Sequence, residues 1–345
     1  MLMKMVGLMI LTLASIASNV AEAQASSEAL AETYKSDFQR PKGPVPGLDE
    51  ENPRKQSVIK LGYMLFFDPR ISSSGSLSCA SCHNPALGWE DGLALGHGHG
   101  MKKLPRHTPT ILNLGYSEAE AFFWDGRAES LEAQALGPIE AAGEMNMPLD
   151  QMVRTLESIK GYDVLFKQAF GDGKVTKEQV GKALADYQRT IVSKDAPFDL
   201  WLKGDKNAIG ESAKRGFVLF NEKANCAVCH SGWRFTDDGF HNIGIGDDDV
   251  GRAKVLDFEI LRHAFKTPTL RNIDLRAPYF HDGSAATLED VIELYDKGGN
   301  KDSPSLSSEV RQLNLTGREK KDLVNFLKTL TSKDNGIVIP TLPKK

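Results

Sequence analysis

The clearest periodicity in the chain is helical. Val180, Ala183, Leu184, Tyr187 and Ile191 fall on one stripe of a helix. Leu323, Phe326, Leu327 and Leu330 follow Thr316 and Glu319, whose spacing is that of a capping box at a helix start. Thr287 and Asp290 predict another helix start. Strand-like alternation is scarce, so the expected class is mainly α with long loops. The N-terminus has a different pattern. Residues 6–20 are mostly apolar behind Lys4, and Ala21-Glu22-Ala23 places small residues where a signal peptidase cuts. This predicts a secretory signal peptide over residues 1–23, a mature chain starting near Gln24 and a periplasmic location. That run is too short for a stable membrane span, and no later segment is long and apolar enough to cross a bilayer.

Several blocks occur twice. Gly62-Tyr63-Met64-Leu65-Phe66 and Asp91-Gly92 have counterparts in Gly216-Phe217-Val218-Leu219-Phe220 and Asp238-Gly239. Pro109-Thr110, Asn113, Phe123-Trp124-Asp125-Gly126 and Leu131-Glu132 correspond to Pro268-Thr269, Asn272, Phe280-His281-Asp282-Gly283 and Leu288-Glu289. From the Asp-Gly pair to the Leu-Glu pair the register is identical in both halves. A chain of 345 residues has room for two domains with their own cores. The repeat predicts them over residues 24–194 and 195–345, with the boundary at Lys194–Pro197. Hydrophobic content of 41% and charged content of 26% are those of a globular protein, and a net charge of −4 gives no basic stripe for nucleic acid.

All four cysteines belong to Cys-x-x-Cys-His runs, Cys79-Ala80-Ser81-Cys82-His83 and Cys226-Ala227-Val228-Cys229-His230. In such a run two thiols add across the vinyl groups of one haem and the histidine reaches its iron. The competing readings are two motifs sharing one zinc, or a redox disulfide in each. Histidine after both pairs, and no cysteine left over, favour two covalently bound haem c groups on two tandem cytochrome c-like domains. Secretion agrees, since bacterial c-type haem is attached outside the cytoplasmic membrane.

What binds the far side of each iron decides between carrying electrons and binding a substrate. Electron carriers commonly close that side with methionine. Of nine methionines the last is Met152, so the second domain has none to offer. Eight positions beyond Thr287 lies Tyr295, and Pro138 stands at the same register of the first half. Proline has no ligating side chain, which leaves the first iron open. Tyrosine can ligate the second as phenolate. The alternative is that Tyr295 packs in a core and Pro138 ends a helix. His241, His263 and His281 are further candidates for the second iron. For the first, His97 and His99 sit in Leu95-Gly96-His97-Gly98-His99-Gly100, where glycines allow a histidine to cap the iron and swing away. A plain solvent-exposed loop competes with that reading.

Phe123-Trp124-Asp125-Gly126-Arg127-Ala128, Ala135-Leu136-Gly137-Pro138-Ile139, Lys266-Thr267-Pro268-Thr269-Leu270-Arg271-Asn272 and Ala277-Pro278-Tyr279-Phe280-His281-Asp282-Gly283, with the two haem motifs in this order, resemble the bacterial dihaem cytochrome c peroxidases and their MauG relatives. The resemblance runs from Gly62 to Leu330. It implies that the haem on His83 is peroxidatic, with Gln134 and Glu144 in its distal pocket and Trp124 between the haems as a relay. Splitting O–O requires a proton to move from the inner to the outer peroxide oxygen. A carboxyl can carry it while an amide orients the peroxide. Tyr295 falls where ordinary peroxidases carry methionine and the MauG branch carries tyrosine. His99 lies near the mobile distal histidine of ordinary peroxidases, whereas the surrounding Leu104-Pro105-Arg106-His107-Thr108-Pro109 resembles the MauG branch, where that ligand is missing. The resemblance also implies an inter-haem calcium ion on the backbone carbonyls of Arg276 and Pro278. The family's asparagine ligand is His107 here, and imidazole suits hard calcium poorly.

The leading functional expectation is therefore a periplasmic enzyme that reduces hydrogen peroxide with electrons from a small c-type cytochrome or cupredoxin. The runner-up is a MauG-like enzyme using peroxide-derived high-valent haems to oxidise residues of a partner protein. A dihaem electron carrier is a third reading, against which Pro138 argues. The family often pairs two copies as a homodimer, and no residue in this chain marks an interface.

Overall fold

The computed structural model describes residues 29–49, 51–246, 248–333 and 336–344. The expected signal peptide lies outside the described residues. The helices that build the two halves are α1 (Pro53–Phe66), α2 (Cys79–Cys82), α3 (Leu131–Glu140), α4 (Leu149–Glu157), α5 (Lys160–Phe170), α6 (Lys177–Arg189), α7 (Pro197–Leu202), α8 (Glu211–Asn221), α9 (Leu288–Lys297) and α10 (Gly317–Lys328). Among the described residues the strands are Phe240–His241 and Phe265–Lys266, which pair antiparallel with Phe240 opposite Lys266. The chain is mainly α, as its periodicity predicts.

Each half is closed by a crossing of two helices. α1 starts where the Asn52 side chain accepts from the Arg54 and Lys55 N–H groups and Pro53 fills the first turn. α6 is capped by a Thr176–Gln179 box and buries Val180, Ala183, Leu184 and Tyr187 of the predicted stripe. The two meet at Gly62, where a Cβ would collide with the Ala183 carbonyl. In the second half α8 meets α10 at Gly216, where a Cβ would collide with the Asp322 carbonyl. α10 has the predicted Thr316–Glu319 box. Gly62 and Gly216 are the leading residues of the repeated blocks, so the repeat marks the closest helix approach in both domains.

Hydrophobic packing forms two cores, one from Val58 to Ile191 and one centred on Phe198, Phe217, Phe220, Phe235 and Phe326. Packing crosses the expected division at residues 194/195. Ala31 and Phe38, assigned to the first domain, are buried in the second core. The Phe38 ring stacks on Phe235 at 4.8 Å and meets Phe217 edge-on at 5.4 Å. A lone phenylalanine ahead of α1 gains more from that aromatic cluster than from solvent. The opposite end crosses too: the Pro343 carbonyl accepts from Arg70 at 2.9 Å and the Lys344 carbonyl from the Gly161 N–H at 3.3 Å.

The later repeat blocks are turns built alike. Asn113 and Asn272 both adopt positive φ, and their Oδ1 atoms accept from the Ser193 and Ser332 N–H groups at 2.9 Å. Phe123 and Phe280 also have positive φ (69° and 73°), each followed by a left-handed glycine, Gly126 or Gly283. α3 and α9, capped by Ser130 and Thr287, follow these turns and have the same length of 10 residues. Pro138 and Tyr295 therefore stand on the same turn of equivalent helices.

Candidate active site

In each Cys-x-x-Cys-His run a helical turn brings the histidine back over the first cysteine. The His83 N–H donates to the Cys79 carbonyl and the His230 N–H to the Cys226 carbonyl, both at 2.9 Å. His83 Nδ1 donates to the Trp89 carbonyl at 3.1 Å and His230 Nδ1 to the Phe235 carbonyl at 2.9 Å. A carbonyl only accepts, so each Nδ1 carries the proton and Nε2 presents the lone pair. This is how a proximal haem ligand is oriented. Burial holds both imidazoles below their ordinary pKa and hence neutral, and at His230 the nearby Arg276 charge adds to it.

No disulfide joins the four cysteines among the described residues. The motifs pack on different cores, Cys79 on the first and Cys226 on the second, so they do not share a zinc ion. Burial pushes Cys79 and Cys226 up to about 12 and Cys82 to about 11. Thiols held protonated are poor metal thiolates, and a neutral thioether removes the cost of burying their charge. The donor set fits two covalent haems.

The first motif opens on a cavity of about 870 Å³. Cys79, Cys82 and His83 line one part of it, and Gln134, Pro138, Glu144 and Met145 another. Pro138 cannot donate inside α3, and the chain after that helix folds back along its end. The Met145 N–H donates to the Pro138 carbonyl at 3.0 Å and the Met147 N–H to the Ile139 carbonyl at 2.8 Å. That return sets Glu144 beside the motif, close enough for its charge to help raise the Cys82 thiol. Burial raises the pKa of Glu144, and the charge of Arg127 opposes the rise.

Neither His97 nor His99 is among the residues lining this cavity. The His99 N–H donates to the Glu144 carbonyl at 2.6 Å, and its Nδ1 pairs with Ser73 Oγ at 3.2 Å. Gly98 packs so tightly on Gly143 and Glu144 that a Cβ would overlap the Gly143 carbonyl. The Gly-His-Gly-His-Gly run thus buttresses Glu144. Sequence reading treats those glycines as freedom to move, whereas the structure uses the one at 98 for close approach.

At the second motif Tyr295 lies beside Cys226 and Cys229. Burial raises its phenol pKa, and the two cysteines add to the rise. Of the histidines considered as ligands, His241 lies close to Cys229 of this motif, and each has other partners. His241 Nε2 pairs with Asp237 at 2.8 Å, and His263 Nδ1 with the Asp249 carbonyl at 2.8 Å. His281 stacks on Phe265 with ring centroids 3.5 Å apart. Trp124 is held from both sides: its Nε1 donates to the His107 carbonyl at 2.8 Å, and its carbonyl accepts from the Lys266 N–H at 2.8 Å. Its ring meets His281 edge-on at 6.4 Å.

Sequence reasoning missed Arg127, which lines the cavity, stacks 3.7 Å above the Phe123 ring and pairs with Asp125. Its place directly after Trp-Asp-Gly was the available signal. It also missed the partners of His107, whose Nε2 pairs with Glu90 at 3.0 Å. Burial disfavours charge on that ring, but the hydrogen bond and charge of Glu90 prevail and raise its pKa.

Comparison with known proteins places this geometry in context. Residues 56–207 match the family model for di-haem cytochrome c peroxidase and residues 213–331 that for cytochrome c. The chain is 51% identical to the methylamine utilization protein MauG of Methylorubrum extorquens, covering 94% of this chain and 91% of that protein. It is 37% identical to the cytochrome c551 peroxidase of Nitrosomonas europaea, covering 87% of each. Among solved structures, a MauG-like protein associated with microbial copper homeostasis superposes with a TM-score of 0.78 at 30% identity, covering 86% of this chain and 96% of the other.

Proposed function

The chain belongs to the di-haem cytochrome c peroxidase family, and from that premise we propose that it meets hydrogen peroxide at the haem on Cys79, Cys82 and His83. The haem on Cys226, Cys229 and His230 serves as its redox partner. The observation that carries the reading is the shared cavity, in which Gln134, Pro138 and Glu144 line the same space as His83. When bound, haem supplies the iron that takes up peroxide and exchanges electrons.

The chain's own residues supply the rest. Pro138 offers no ligand, so the peroxide side stays accessible. The Gln134 amide orients the peroxide through a hydrogen bond. Glu144 takes the proton from the inner oxygen and returns it to the outer one, which leaves as water. Its raised pKa suits both halves of that transfer, because an ordinary carboxylate gives up a proton readily but accepts one poorly. Trp124, fixed by one hydrogen bond from each domain, is the relay between the haems.

Two observations favour a MauG-like enzyme, which passes the oxidising power of peroxide to residues of a partner protein. Tyr295 stands beside the second motif, where its phenolate would supply a hard anionic ligand that favours the oxidised states of a bound haem. His99 is tied to Ser73 and Glu144, away from the cavity lining. A peroxidase fed by a small c-type cytochrome or cupredoxin is the second reading, favoured by the same Gln134 and Glu144. The apolar N-terminal run and the secretory setting of c-type haem attachment support a periplasmic location. Among the described residues no helix is long and apolar enough to cross a membrane.

Stopped-flow spectroscopy of the dihaem protein with peroxide, with and without reduced cytochrome c, separates the readings. A long-lived oxidised state with little donor consumption is the expected result. Rapid steady-state consumption of the donor selects the peroxidase, and no reaction with peroxide refutes both. Tyr295→Phe should alter the spectrum of the second haem, and an unchanged spectrum eliminates Tyr295 as a ligand.

A further inference from the structure

Between the two haem motifs lies a buried ion cluster that the reaction above does not use. Glu90 follows Trp89, whose carbonyl orients His83. Glu90 Oε2 accepts from His107 Nε2 at 3.0 Å and Oε1 from Arg276 Nη1 at 3.2 Å. His107 Nδ1 donates to the Leu93 carbonyl at 2.7 Å. A carboxylate and a carbonyl both accept, so both ring nitrogens carry protons and the imidazole is a cation. Arg276 comes from the second domain and also donates to the Thr269 carbonyl. Glu90, His107 and Arg276 are 5%, 3% and 2% exposed, so each charge depends on the others rather than on water.

The chain makes room for this cluster. The Arg276 stem passes over Gly88, where a Cβ would lie 3.0 Å from its Cδ and closer still to its Cγ. Gly88 also has positive φ, at 64°. The cluster is continuous with the relay, since the His107 carbonyl accepts from Trp124 and the His107 N–H donates to the His281 carbonyl at 2.7 Å.

The family resemblance puts calcium here, on the carbonyls of Arg276 and Pro278. The side chains present do not fit it. Calcium gathers about six to eight oxygen ligands. Here the groups that face Glu90 are N–H donors on two cations, and both of its oxygens are engaged. We propose that Glu90, His107 and Arg276 replace the inter-haem calcium ion in this chain. The second domain's guanidinium and the first domain's imidazolium, joined by the Glu90 carboxylate, do the work of the ion, and the dihaem protein needs no calcium.

The test uses the intact dihaem protein. It is desalted into chelator-treated buffer, its calcium content is measured by elemental mass spectrometry, and its thermal unfolding is followed with EGTA and with millimolar calcium. The expected result is far less than one calcium per chain and one unfolding midpoint in both media. Stoichiometric calcium, or a midpoint that falls in EGTA and recovers with calcium, overturns the proposal. Glu90→Gln leaves two buried cations without their anion, so its midpoint should drop by several degrees, equally in both media. A Glu90→Gln protein as stable as the parent also overturns it. If Glu90→Gln does not fold, the calcium content and the two midpoints of the parent decide the matter.

Discussion

Glu144→Gln is the sharpest test of the site. Glutamine keeps the size of the side chain and one hydrogen-bonding oxygen, and removes only the capacity to take up and release a proton. Glu144 lines the same cavity as His83, Gln134 and Pro138, and Gln134 is untouched by the change. Peroxide can still enter and be oriented, so the loss is that of acid–base assistance alone. Such assistance contributes about 10²–10⁴ in rate. With orientation by Gln134 retained, the apparent second-order constant for peroxide should fall about 10²–10³-fold, which is ~3–4 kcal/mol at the transition state.

The assay is stopped-flow mixing with peroxide, read at the haem absorption bands and repeated across pH. Burial raises the Glu144 pKa, so the carboxyl stays protonated to higher pH than an ordinary glutamate. The parent needs the carboxylate to accept the first proton. Its rate should therefore climb as pH rises through that elevated pKa, while the variant lacks this limb. Resting spectra of the two proteins should coincide. A variant that reacts within about three-fold of the parent, or keeps the same pH limb, refutes the role of Glu144.

Three other changes probe the supports. Gly98→Ala should displace Gly143 and Glu144 and slow the peroxide reaction by up to about 10²-fold without changing either haem's resting spectrum, since an ångström of misplacement is that costly. Parent-like kinetics would show that the buttress is dispensable. Trp124→Phe keeps an aromatic side chain but removes the indole and its hydrogen bond to the His107 carbonyl. Peroxide should still react at the first haem, and the response of the second haem should lag, so a simultaneous response removes Trp124 as the relay. Phe38→Ala should destabilise the second domain by about 3–5 kcal/mol, although the residue precedes the first core in sequence. Denaturant unfolding followed at each haem's band checks which domain responds, and a loss confined to the first haem contradicts the packing.

Local rules explain what the sequence made legible. Cysteine spacing, the Thr316–Glu319 and Thr287–Asp290 caps and the apolar stripe of α6 act over a few residues, and the structure contains each. The repeat carried one inference further. Because α3 and α9 start from equivalent caps and have equal length, counting eight residues from Ser130 and from Thr287 puts Pro138 and Tyr295 on the same turn. What stayed hidden depends on distance along the chain. Glu90 meets Arg276 across 186 positions, and no local pattern announces such a pair. The Gly-His-Gly-His-Gly run misled for another reason: glycine serves both motion and close approach, and only the backbone at Gly143 tells which applies.

The crossed ends of the chain bear on how the molecule is assembled. Domains generally fold in the order they are made, N-terminal first. Here the segment around Phe38 is made before either haem motif, yet its place is among Phe198, Phe217 and Phe235, which are made much later. The first domain in turn receives Pro343 and Lys344, which are made after the whole second core. Each domain is thus completed by a segment that lies beyond the other domain in sequence. A chain cut between the two cores would therefore leave each half without a segment that packs against it.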